Sequence, residues 1–64
     1  MTVYRTEYYE DRIGKWVCIH ESGDLEKAKD YLDTPIIKNP EKRIAEYSKT
    51  GTYKVKYKYI KTVK

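Results

Sequence analysis

Toward its C-terminus the chain alternates two kinds of side chain: Tyr53, Val55, Tyr57 and Tyr59 interleave with Lys54, Lys56 and Lys58. A period of two belongs to a β-strand in a sheet with one covered and one wet face. The pattern predicts a strand over 52–62 with its phenols under a covering layer and its ammonium groups in water. One strand cannot exclude water alone, so the rest of the chain must supply its neighbours and a cover. With 64 residues to do so, the chain is read as one domain, residues 1–64, with a thin core and no room for a second unit.

Residues 2–10 mix β-branched, aromatic and polar types with a rough period of two, as a half-buried strand does. Asp11-Arg12-Ile13-Gly14 reads as a turn, and Lys15 to Glu21 form a second apolar run, completing a hairpin. Ser22-Gly23-Asp24 breaks the strand and supplies an N-cap. Leu25, Ala28 and Leu32 then recur at helical spacing with Tyr31 on the flank, which predicts a helix over about 24–33 ended by Thr34-Pro35. Residues 34–41 hold two prolines around Ile36 and Ile37, expected to form an ordered loop with the isoleucines tucked onto the core. A third strand is expected over 42–49, and a turn at Thr50-Gly51 leads into the fourth.

The order is β-β-α-β-β, an α+β domain with a four-stranded sheet and one helix packed on one face. That order resembles the immunoglobulin-binding protein G domains and the wider β-grasp group. With both hairpins antiparallel, the helix can return the chain so that the first and last strands are parallel neighbours, in the sheet order 2-1-4-3. The pattern also fits an order such as 1-2-4-3, or strand exchange between chains. A four-residue first turn pairs Glu10 with Lys15, Tyr9 with Trp16, Tyr8 with Val17, Glu7 with Cys18 and Thr6 with Ile19. Tyr4, Thr6, Tyr8, Val17, Ile19, Tyr53, Val55, Tyr57 and Tyr59 then meet the helix. Arg5, Glu7, Tyr9, Trp16, Cys18, His20, Lys54, Lys56 and Lys58 face outward, Arg5 and Glu7 into water. A three-residue turn would bury Trp16 instead.

Charge is unevenly spread. The net charge is +4, yet residues 49–64 carry six lysines and no acid, leaving a slight acid excess before them. The single cysteine, Cys18, cannot form an internal disulfide, and no apolar run suits a spanning helix or a signal-peptide core. These features are read as a reduced, cytoplasmic setting without a membrane partner. Nucleophilic or acid–base catalysis needs groups within hydrogen-bond reach, and one His, one Cys and no evident carboxylate pair offer little for it. The chain is therefore expected to be no enzyme. His20 and Cys18, two apart on one strand, make half a metal site at most. The acids Glu21, Asp24, Glu26, Asp30 and Asp33 lack the glycine and spacing of a calcium loop, and no glycine loop cradles a phosphate. No cofactor is expected.

Three functional readings remain. Arg5, Tyr9, Trp16, His20, Lys54, Lys56 and Lys58 are the candidate partner-binding residues. Trp16 and Tyr9 suit the centre of a protein interface, where aromatic and Arg side chains dominate. The same face suits nucleic acid if lysines track phosphates while rings stack on bases. About four such contacts imply a log–log salt slope of about −3 to −4. A homodimer paired through the terminal strand is the third. In size and in its Lys/Tyr/Ile-rich style, including Gly14-Lys15-Trp16 and Leu25-Glu26-Lys27-Ala28, the chain resembles the short accessory proteins of bacteriophages and prophages. That resemblance implies stoichiometric binding to, and blocking of, a host protein or defence complex in the host cytoplasm.

Overall fold

The first hairpin forms where turn chemistry places it. In the computed structural model, which describes residues 1–64, β1 (Thr2–Glu10) and β2 (Lys15–Ser22) are joined by a turn ending on Gly14, which adopts φ 64°. Glu10 pairs with Lys15, Tyr9 with Trp16, Tyr8 with Val17 and Glu7 with Cys18, as expected from a four-residue turn. The ladder then slips: Thr6 faces His20, leaving Ile19 as the extra residue of a bulge. Beyond the bulge every β2 side chain has exchanged faces relative to the unbroken register.

Asp24 caps α1 (Leu25–Asp30) by accepting a hydrogen bond from the Glu26 N–H at 2.9 Å. The expected helix to residue 33 is realised in two pieces, since Tyr31–Asp33 tightens into a 3-10 turn before Thr34 turns extended ahead of Pro35. Lys42 secures this end by donating from Nζ to the carbonyls of Leu32, at 3.0 Å, and Thr34. Ile37 does not tuck onto the core; it is 89% exposed. Residues 36–39 close a tight turn, with the Asn39 N–H donating to the Ile36 carbonyl and both Lys38 and Asn39 at positive φ, and Ile37 lies at its solvent side.

β3 (Lys42–Thr50) and β4 (Lys56–Thr62) complete one sheet in the order β2-β1-β3-β4, with every pairing antiparallel. The order is thus not 2-1-4-3. The third strand, not the last, lies beside β1, and the expected parallel pairing of the first and last strands is absent. The molecule is an α+β domain with four strands and one helix, and the helical layer rests on the β1 and β2 side of the sheet.

The core has two sides. Beneath the helix, Thr6, Ala28 and Ile44 are fully buried, and the small Ala28 lets the helix approach until Thr6 Oγ1 donates to its carbonyl at 2.6 Å. On the opposite sheet face, Val3 and Ala45 are sealed as well, along with Glu7.

β4 starts later than the alternation suggests, because residues 51–55 form the connection and Thr50 pairs with Lys56. Gly51, at φ 91°, makes that connection possible: an added Cβ would lie 2.3 Å from the Lys54 carbonyl oxygen. Gly51→Ala is therefore expected to cost roughly 1–3 kcal/mol. Gly23→Ala, where an added Cβ meets nothing within 4 Å, should stay within about 0.5 kcal/mol of the parent. Urea midpoints of the two variants check the contrast, and equal midpoints would refute it.

Candidate binding face

Strand pairing determines which side chains gather on the face without a helix. Trp16 stands beside Tyr9, Glu7 between Cys18 and Arg43, Arg5 between Glu21 and Ala45, Tyr47 between Val3 and Tyr59, and Lys49 beside Tyr57. The rows form a layer of rings and cations over the sheet.

At its centre Glu7 is only 2% exposed. A buried carboxylate needs partners on both oxygens, and it has them. Oε1 accepts from Arg43 Nε at 2.9 Å, and Oε2 accepts from the Tyr47 hydroxyl at 2.8 Å. Arg43 is itself sandwiched, its guanidinium carbon 4.1 Å from the Trp16 ring centroid and 5.2 Å from that of Tyr59. Tyr9 meets Trp16 edge-on at 5.4 Å.

A second cluster repeats the arrangement nearer the sheet's other end. Arg5 lies 4.8 Å from the Tyr57 centroid and 5.5 Å from that of Tyr47. Glu21 accepts from Lys49 Nζ at 2.8 Å and places its other oxygen 3.9 Å from Arg5 Nε. That separation exceeds hydrogen-bond reach, so the enclosed Arg5 Nε is left without an acceptor. Tyr47 joins the clusters, packing edge-on against Tyr57 at 6.1 Å and Tyr59 at 5.8 Å. The bond from Lys49 holds the Glu21 carboxyl below its usual range, with smaller contributions from Tyr57 and Arg5. Burial, and then the bond to Glu7, pushes the Tyr47 phenol up.

The structure divides the sequence-derived candidates. Arg5, Tyr9 and Trp16 share this face, and the Trp16 ring is half-buried beside Arg43. His20 does not join them, because the Ile19 bulge turns it to the helix side, where it stacks on Tyr31 at 3.8 Å. The bulge also separates His20 from Cys18, which lies opposite Glu7 on the open face, so the two do not form the half-site their spacing suggests.

Lys54 lies in the 51–55 connection. Lys56 and Lys58 pair with Thr50 and Ser48, which share the helix-side face with Glu46 and Tyr4. The expected placement of β4 is thus inverted: Tyr57 and Tyr59 lie on the open face, and the lysines on the other. Alternation carries the period but not which face receives the cover. The helix leaves the β3 and β4 end unroofed, so the lysines are solvated on the helix side. Glu7 is on the expected face but is buried rather than in water.

Sequence reasoning placed Glu7 on this face without making it a partner-binding candidate, and it did not single out Glu21, Arg43, Tyr47, Tyr57 or Tyr59 for it. The signal available was in β3, where Arg43, Ala45, Tyr47 and Lys49 alternate with Lys42, Ile44, Glu46 and Ser48. No helix is long and apolar enough to cross a membrane. Comparisons with known protein families, with curated proteins and with solved structures give no match.

Arg43→Met strands the Glu7 carboxylate and is expected to lose roughly 3–5 kcal/mol. Adding Glu7→Gln should restore a large part of that loss, because the buried charge is gone. Denaturation of both variants checks the coupling, and a double variant as unstable as the summed single changes would contradict it.

The Glu21 shift has a definite sign. Its folded-state pKa is below the ordinary value of about 4.5. The stabilisation it brings is therefore complete above that value and is lost as pH falls through the lower folded-state value. Glu21→Gln should flatten the fall in urea midpoint below about pH 4.5; an unchanged acid limb would exclude the Lys49 contact as its cause.

Proposed function

We propose that the chain is a non-enzymatic, phage-like binding protein that occupies, and so inhibits, a host protein or defence complex in the host cytoplasm, one copy to one target. The observation supporting this reading is the ring-and-cation layer on the open face. Its rings are held by Glu7, Arg43 and Arg5 in a fixed arrangement, while Tyr9, Tyr57 and Tyr59 remain 36–48% exposed. Rigid aromatic side chains with polar tips lose little freedom on binding, and Trp, Tyr and Arg dominate the energetic centres of protein interfaces.

The three cations of this layer, Arg5, Arg43 and Lys49, already share the two carboxylates Glu7 and Glu21. Lys56 and Lys58 lie on the other face from the rings. This separates the components that phosphate tracking and base stacking would need side by side, which favours a protein partner over nucleic acid.

Capture from a host lysate, with and without nuclease and at low and high salt, tests the reading when run beside Trp16→Ala. A protein partner is retained after nuclease and lost in Trp16→Ala, a change of about 30-fold or more in affinity. Nuclease-sensitive capture with a steep salt slope would replace it by nucleic-acid binding. A stable dimer that shields Trp16 would replace it by self-assembly.

A further inference from the structure

The outer edge of β4 is unlike the rest of the sheet. Like β2 it has no strand on its far side, but all seven of its residues, Lys56–Thr62, are exposed, whereas β2 is half-buried along all but its first residue. The Ile44 N–H donates to the Lys64 carbonyl and the Lys49 N–H to that of Met1, so even-numbered β3 groups turn toward β4 and odd-numbered ones toward β1. Lys56 and Lys58, paired with Thr50 and Ser48, therefore bond inward. The backbone N–H and C=O groups of Tyr57 and Tyr59 point off the edge. The flanking ammonium groups are also unmatched: Lys54, Lys56, Lys58, Lys61 and Lys64 make no ion pair, whereas Arg5, Arg43 and Lys49 on the inner strands each have one.

We infer that this edge receives an extended acidic segment of the partner protein, added as a fifth strand whose carboxylates alternate with apolar residues. The inference rests on the protein-binding reading and names the chemistry of what is bound. Alternating donors and acceptors along an edge are complementary to another polypeptide backbone, and not to a phosphate chain, which offers acceptors only. Alternation assigns the added side chains: those opposite Lys56 and Lys58 meet ammonium groups, while those beside Tyr57 and Tyr59 extend the aromatic face. Lys58 occupies the close, non-hydrogen-bonded kind of position on the outer side, where an opposed carboxylate makes its nearest approach. A second copy of β4 would instead set Lys56, Lys58 and Lys61 against their own kind, the arrangement by which edge lysines discourage self-pairing.

The test uses the full chain, 15N-labelled, and a capped peptide Glu-Val-Glu-Val-Glu-Val-Glu. The expected result is shift changes confined to β4 and the 51–55 connection, with slowed exchange of the Tyr57 and Tyr59 amides. The block-ordered Glu-Glu-Glu-Glu-Val-Val-Val and the Lys-Val counterpart should bind at least about ten-fold more weakly. Lys56→Glu with Lys58→Glu, whose exposed positions leave the fold intact, should weaken the alternating peptide about ten-fold. The proposal is overturned if the peptide causes no shifts, if both orders bind alike, if an oligothymidine perturbs the same amides equally, or if those amides are already protected by self-association. Because Trp16→Ala capture is read separately, failure of the peptide would leave the broader reading standing, and nuclease-sensitive capture would remove that reading.

Discussion

A carboxylate buried in the middle of an otherwise open sheet face dictates the arrangement around it. Glu7 cannot be dehydrated alone, so Arg43 and Tyr47 must reach it from the neighbouring strand, and they can do so only if β3 pairs antiparallel with β1 in the observed register. Once Arg43 is drawn over the sheet, its flat cation becomes a platform for Trp16 on one side and Tyr59 on the other. One ionised group thus links strand order, register and the placement of the rings.

The result is a small domain roofed on both faces by different materials. On one side a six-residue helix and a 3-10 turn cover Thr6 and Ile44. On the other, rings and guanidinium groups shield Val3 and Ala45. A chain of 64 residues with no Phe uses amphipathic side chains as its second cover, and these can exclude water below while staying wet above. A roof of that kind is also a surface, which is how a fold with so thin a core comes to present an ordered aromatic patch.

Local chemistry in the sequence is enough to place the elements. Gly14 closes the first hairpin, Asp24 starts the helix, Pro35 stops it, and the first pairs of the β1–β2 ladder follow from the turn length. Information that is not local was hidden. Alternation along β4 says that Tyr57 and Tyr59 share a side, but the side is set by the length of the 51–55 connection and by which strand β3 joins. A single extra residue at Ile19 sends His20 away from Trp16. The burial of Glu7 was illegible for the same reason: its partners lie 36 and 40 residues away in sequence, and nothing in residues 2–10 announces them.

The functional account follows from the same geometry, since the rings proposed to meet a partner are held by the ion pair that orders the strands. The most direct measurement is the pattern of side-chain nuclear Overhauser contacts to the Tyr57 and Tyr59 rings in the free protein. The account predicts contacts from Arg5 to Tyr57 and from Arg43 to both Tyr59 and the Trp16 indole. Contacts from Tyr57 or Tyr59 to Leu25, Ala28 or Leu32 instead would place those phenols under the helix and contradict it.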